Sequence, residues 1–205
     1  MTTTLETQFE TLIDGMLANS YGLIDGFLTD EETAQLAQRL HTRRTAGQFR
    51  EAGIGNGQAV VAKAIRGDEI LWLDADNATP EETSFLGRVE QLIDYLNRTC
   101  YLGLRDYELH YALYPAGAFY KRHLDRFRAD SKRKLSLICY LNRHWQPTDG
   151  GQLALYLPQP NGTEQTLTIE PLGGRLVCFD SGLLEHEVLP AIRDRLSLTG
   201  WLRTG

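Results

Sequence analysis

The sequence predicts an α+β protein: a double-stranded β-helix, or jelly roll, with N-terminal helices packed on one of its sheets. Three observations carry this expectation. The first hundred residues place apolar side chains at helical spacing behind recognisable capping signals. From Arg105 onward the apolar period falls to two, and no helical pattern returns. About eight short strands then follow, separated by Gly, Pro, Asn and Asp clusters.

Residues 5–18 set Leu5, Phe9, Leu12, Ile13, Met16 and Leu17 on one stripe of an amphipathic helix. A short strand over 22–25 follows. Thr29 and Glu32 form a capping-box pair that opens a second helix running to about residue 44. The device recurs at Thr79 and Glu82, with Pro80 in the first helical position, where its missing N–H costs nothing, and with Phe85, Leu86, Val89, Leu92, Ile93 and Leu96 as the stripe. Between these two helices, Gly53, Gly55 and Gly57 mark a turning, mobile connection. A phosphate-binding loop would need a strand before it and a helix N-terminus directly after it, and the stretch 58–65 is β-branched and alanine-rich without a cap. In the second half, strands are expected at 106–114, 119–123, 133–142, 152–157, 165–170, 174–180, 186–190 and 195–202.

The bulk numbers fit one domain over 1–205: a helical support region with its mobile loop over 1–104, and a jelly-roll core over 105–205. A net charge of −6 opposes a phosphate backbone and argues against nucleic acid as a partner. No stretch approaches the length of a membrane span, and the N-terminus has neither the basic start nor the apolar core of a signal peptide, so a cytoplasmic protein is expected. Cys100, Cys139 and Cys178 are odd in number and widely spaced, as structural thiols would be.

His123 and Asp125 stand two apart at the end of an expected strand, so both project to one face and can grip one ion. His186 offers a third ligand 61 residues downstream, at the start of another expected strand. Two histidines and a carboxylate on one face of an octahedron leave adjacent positions open, which suits Fe(II) enzymes that bind a cosubstrate and dioxygen together. HxD alone is a common accident in a chain with five histidines. What raises its weight is Arg195, nine residues past His186, whose guanidinium can clamp the far carboxylate of a dicarboxylic acid. The plainer alternative for Arg195 is a surface ion pair with Asp194.

The blocks YGLIDGFL, IRGDEILWLD, YPAGAFYKRHLD, ICYLNRHW, DGGQLALYLP and HEVLPAIRDRLSLTGW make the chain resemble the prolyl hydroxylase branch of the 2-oxoglutarate-dependent oxygenases, over nearly its full length. The resemblance implies that His123, Asp125 and His186 bind Fe(II), and that Arg195 and Tyr140 bind the distal carboxylate of 2-oxoglutarate. It implies that Tyr114 touches the cosubstrate and that Ile138, Leu153, Thr199 and Trp201 line its pocket. Ordinary core packing is the alternative for Ile138, Leu153 and Trp201. Arg66, Asp68 and Arg133 match positions on the substrate side of the cleft, where a solvated charged rim is the alternative. The glycine-rich loop 50–66 corresponds to one that folds over the substrate in relatives.

Two departures stand out. The segment from Tyr114 to His123 is one residue shorter than in the animal enzymes, and His110 stands where those enzymes carry an apolar residue. Strand alternation puts His110 on the face of Ala112 and Tyr114, either as a buried, hydrogen-bonded histidine or as a residue tuning the cosubstrate pocket. The reading as a whole is a dioxygenase using Fe(II), 2-oxoglutarate and O2, with ascorbate as a reductant. Its expected partner is a protein with a proline-containing loop, elongation factor Tu being the candidate that the resemblance implies. A free amino acid or small molecule as substrate, and a non-catalytic metal- or ligand-binding sensor, are the alternatives.

Overall fold

The computed structural model describes residues 4–53, 64–126 and 132–205. The central stretch of the glycine-rich loop, 54–63, therefore lies outside the described residues, and with it the expectation of a mobile cover. Among the described residues the chain forms α1 (Leu5–Asn19), β1 (Tyr21–Ile24), α2 (Asp30–Thr45), β2 (Arg50–Glu51), β3 (Glu69–Trp72), α3 (Pro80–Cys100), β4 (Leu104–Tyr114), β5 (Tyr120–His123), β6 (Arg133–Tyr140), β7 (Leu153–Pro158), β8 (Glu164–Ile169), β9 (Leu176–Asp180), β10 (Glu185–Val188) and β11 (Arg195–Thr204). The eight strands expected after Arg105 are all present. Two 3-10 turns, Ala75–Asn77 in the first half and Pro147–Asp149 in the second, add helical geometry that the apolar periodicity does not reveal.

Two antiparallel sheets make the jelly roll. The larger runs in the order β1-β9-β6-β11-β4-β3-β2, the smaller β5-β10-β7-β8. Strand alternation sorts the larger sheet into two chemistries. Leu109, Tyr111 and Leu113 of β4, Leu135, Leu137 and Cys139 of β6, and Leu196, Leu198 and Leu202 of β11 share one core with Phe9, Leu12, Leu36, Phe85, Val89 and Leu92 of the helices. The intervening residues face the smaller sheet, where Ile138, Tyr140, Val177 and Phe179 pack with Leu153, Leu155, Ile169 and Leu184. Helices on one face thus leave the other free to build a site.

Helix α1 sits close to β1 because Gly22 has no side chain: a Cβ there would come within 2.2 Å of the Leu12 carbonyl oxygen. One residue of the expected stripe departs. Leu17 is 81% exposed, because at 3.6 residues per turn it falls on the rim of the arc centred on Phe9 and Met16. Helix α2 opens on a full capping box: the Glu32 N–H donates to Thr29 Oγ1 at 3.2 Å and the Thr29 N–H to Glu32 Oε2 at 2.8 Å. At α3 the Thr79 N–H donates to Glu82 Oε2 at 2.8 Å.

Glu82 also ties the two helices together. Its fully buried carboxylate accepts from Arg43 Nε at 2.9 Å and Nη2 at 2.7 Å. Removing the guanidinium strands a buried charge, so Arg43→Met is expected to lower the unfolding free energy by roughly 3 kcal/mol. The double variant Arg43→Met/Glu82→Leu should recover most of that loss, and denaturant midpoints measure both.

Candidate active site

His123 ends β5 and His186 lies within β10, and the two strands pair so that these residues are direct partners. Asp125 follows two residues after His123. Ligand atoms of the three side chains all lie within 4.8 Å of one another. Asp125 Oδ1 is 3.5 Å from His123 Nε2, and Oδ2 is 3.4 Å from His186 Nε2. The rings are oriented by what their other nitrogens meet: His123 Nδ1 lies 2.7 Å from the Lys121 carbonyl, and His186 Nδ1 lies 3.3 Å from the Leu184 carbonyl. As donors to those carbonyls, both imidazoles present an unprotonated Nε2 to the centre, which is the arrangement a metal requires.

The Ser136 hydroxyl donates to Asp125 Oδ2 at 2.6 Å and sits 2.9 Å from Ser181 Oγ. Burial alone would raise the Asp125 carboxyl, but the positive charge that the facing imidazoles of His186 and His123 carry when protonated, together with the Ser136 hydroxyl, outweighs it and holds the group well below the usual carboxylate range. Burial pushes His186 down to about 4, which keeps its ring neutral. An ionised carboxylate beside a neutral imidazole is a ready ligand pair.

Four residues further along β6 than Ser136, about 13 Å on at the rise of a strand, Tyr140 faces Arg195. Arg195 is 1% exposed, so the surface ion pair with Asp194 does not form; Asp194 instead meets Arg44 at 3.5 Å. Arg195 Nε donates to the Gly151 carbonyl at 2.8 Å, and its guanidinium lies 5.0 Å from the Tyr140 ring and 5.2 Å from that of Tyr114. Arg195 Nη2 and the Tyr140 hydroxyl are buried and have no hydrogen-bond partner among the described residues. Two such groups side by side call for an anionic acceptor. Gly151 makes the approach possible: it holds φ at +69°, and a Cβ there would lie 3.2 Å from Arg195 Cδ.

Ile138 and Leu153 line the space between the sheets. Thr199 is half-buried and donates from Oγ1 to the Leu137 carbonyl at 3.1 Å. Trp201 lies under the Arg133 guanidinium at 3.3 Å, and Arg133 also donates to the Asp125 carbonyl at 3.2 Å. That carbonyl belongs to a proposed ligand residue, so Arg133 borders the cluster. Arg66 and Asp68 pair with each other, Nη2 to Oδ2 at 2.6 Å, and Asp68 is 2% exposed, so it belongs to no solvated rim.

His110 is buried between Trp72, ring centroids 4.7 Å apart, and Trp201 at 5.8 Å. Its Nδ1 finds no hydrogen-bond partner among the described residues. Burial pushes its pKa down to about 4 from 6.5. Between those values the unfolded chain takes up a proton that the native ring refuses, so stability is lost as pH falls from 6.5 to 4 and is fully present above. His110→Met is expected to remove about 3 kcal/mol of that acid-induced loss in the metal-free protein. Urea titrations at pH 7 and pH 4 measure it.

Sequence reasoning passed over Ser136, Ser181, Tyr120 and Gly151. Ser136 was legible by period two, since it lies two before Ile138 on the same face. Gly151 carried its signal in the doubled glycine before β7. Tyr120 stacks flat on His123, ring centroids 3.6 Å apart, through a packing relation that no spacing announces.

The family profile of the 2OG-Fe(II) oxygenase superfamily matches residues 109–203. Egl nine homolog 1 from Homo sapiens is 30% identical over 206 residues, covering 96% of this chain and 47% of that protein, so the chain spans about half of that curated relative. The crystal structure of a Pseudomonas putida prolyl-4-hydroxylase is 41% identical with a TM-score of 0.84, covering 96% of this chain and 99% of that one. A Trichoplax adhaerens prolyl hydroxylase, in complex with a hypoxia inducible factor oxygen degradation domain peptide, is 28% identical with a TM-score of 0.86, covering 97% of this chain and 90% of that one. The family uses Fe(II), 2-oxoglutarate and dioxygen, and the residues fit that set: two imidazole Nε2 atoms and a carboxylate converge, while the orphaned Arg195 and Tyr140 groups await a carboxylate. Sequence likeness, shared architecture and this fit agree, and the chain belongs to the 2OG-Fe(II) oxygenase superfamily, homologous to its prolyl hydroxylases.

Proposed function

We propose that this protein hydroxylates a proline, at its C4 carbon, in a loop of a protein substrate. The observation that carries the reading is the combination of a two-histidine, one-carboxylate cluster with a buried arginine whose Nη2 lacks a partner among the described residues. The cluster holds iron, and the arginine takes the far carboxylate of 2-oxoglutarate. Bound there, iron with 2-oxoglutarate and dioxygen supplies the oxidant for C–H hydroxylation, with succinate and carbon dioxide as the other products.

The chain's own part is placement and exclusion. The Lys121 and Leu184 carbonyls fix the imidazoles, and Ser136 orients the carboxylate. Arg195 and Tyr140 anchor the cosubstrate, with Tyr114 beside them. Ile138, Leu153, Thr199 and Trp201 line the pocket and keep water from it. Residues 1–205 act as one catalytic domain, the helices bracing the sheet that carries the clamp.

Proline in a peptide is favoured by the relatives: the Pseudomonas protein is a prolyl-4-hydroxylase, and the Trichoplax enzyme is seen with a peptide. Elongation factor Tu, in the cytoplasm, is the candidate substrate, and ascorbate the reductant that keeps iron ferrous. The test is incubation of purified protein with Fe(II), 2-oxoglutarate and elongation factor Tu, followed by tandem mass spectrometry. A gain of one oxygen on a proline, absent with Asp125→Ala, is the expected result. Oxygen on another residue, or on a free amino acid, would move the substrate claim; absence of any succinate would remove the activity.

A further inference from the structure

Arg66 and Tyr120 face each other across an antiparallel bridge, closed by the Gly67 N–H to the Phe119 carbonyl at 3.0 Å and the Lys121 N–H to the Ile65 carbonyl at 2.9 Å. The Arg66 guanidinium lies 4.3 Å from the centroid of the Tyr120 ring. The same ring is covered by the His123 imidazole at 3.6 Å, with the two planes 17° apart. A ring face covered that closely has no room for a second planar group, so guanidinium and imidazole take opposite faces. Asp68 sets the guanidinium in turn, accepting from Nε at 2.7 Å and Nη2 at 2.6 Å. Planar, bidentate pairing fixes the plane of the guanidinium as well as its position.

The layers therefore run carboxylate, guanidinium, phenol, imidazole, and the last of them is a ligand of the proposed metal site. His123 is held at Nδ1 by the Lys121 carbonyl and on one ring face by Tyr120, which leaves Nε2 directed at Asp125. Both Asp68 oxygens accept from Arg66 and the residue is 2% exposed, so this carboxylate is placed to hold the guanidinium. We propose that Tyr120, backed by the Arg66–Asp68 pair, is a positioning element that sets the His123 imidazole for metal binding. The inference rests on the metal-site reading above.

The experiment titrates the metal-free full chain with Co(II), by calorimetry and by the visible absorption of the bound ion. Tyr120→Leu removes the stacked face and is expected to weaken Co(II) binding roughly tenfold, the scale of support lost around a metal ligand, and to shift the absorption band. Tyr120→Phe keeps the face and should keep both affinity and band. Arg66→Met/Asp68→Asn removes the backing pair without stranding a charge, and should weaken Co(II) binding in the same direction. Wild-type affinity and spectrum in Tyr120→Leu would overturn the proposal, as would a Tyr120→Phe variant as weak as Tyr120→Leu. A double variant that raises only the peptide KM would return Arg66 and Asp68 to the substrate side. The underlying reading is tested separately: if the wild type binds no Co(II), or His186→Ala binds it equally well, the metal site itself is wrong and the inference falls with it.

Discussion

His186→Ala and Asp125→Ala should each abolish iron-dependent conversion of 2-oxoglutarate to succinate, a fall of well over a hundredfold in the absence of any second substrate. The scale follows from what each residue holds. Losing a partner that merely orients a ligand costs about 10–100-fold in affinity or activity; losing the ligand itself costs more. Asp125 has both oxygens within 3.5 Å of an imidazole Nε2, so its removal takes away the one anionic donor of the cluster and leaves two neutral rings. His186 is buried and its ring is kept neutral, so its lone pair is available across the working pH range, and alanine offers nothing in its place. The apo-variants should remain folded, because neither residue belongs to the helix-facing core. Succinate release with circular dichroism of the same samples decides the matter: sustained turnover in both variants would mean that the metal is held elsewhere.

How much of this was legible beforehand depended on the range of the interactions. The helices could be read from local rules, because caps and apolar stripes act within a few residues: the Thr29–Glu32 box appears in full, and only Leu17, on the rim of its stripe, is exposed. Strand existence was equally local. His123 and Asp125 could be paired by spacing, but their meeting with His186 depends on β10 lying between β5 and β7, a topology that alternation cannot supply. Arg66 and Asp68 read as substrate-side residues or a solvated charged rim, because nothing near them in sequence announces the bridge between Arg66 and Tyr120. His110 illustrates the opposite limit: its face was predictable, whereas the absence of a partner for Nδ1 among the described residues depends on two tryptophans from other strands.

Arg195→Met should raise the KM for 2-oxoglutarate by about 10²–10³-fold while leaving kcat at saturation largely intact, since a carboxylate clamp binds ground state and transition state alike. The guanidinium is fully buried and bonds the Gly151 carbonyl through Nε, so it is pre-set before any ligand arrives, and Nη2 with the Tyr140 hydroxyl forms the waiting end. Arg195→Lys keeps the charge but cannot make both contacts from one compact ammonium, and should fall between methionine and wild type. Gly151→Ala offers an independent check, because its Cβ would press on Arg195 from 3.2 Å at a backbone angle that alanine resists. It should raise the same KM without altering charge. Equilibrium unfolding separates binding from stability: replacing a buried cation that lacks a full set of partners with an apolar side chain of similar length is close to neutral for folding. An unchanged 2-oxoglutarate KM in a well-folded Arg195→Met protein would show that the cosubstrate's far end lies elsewhere, and the pocket between the two sheets would have to be assigned to another ligand.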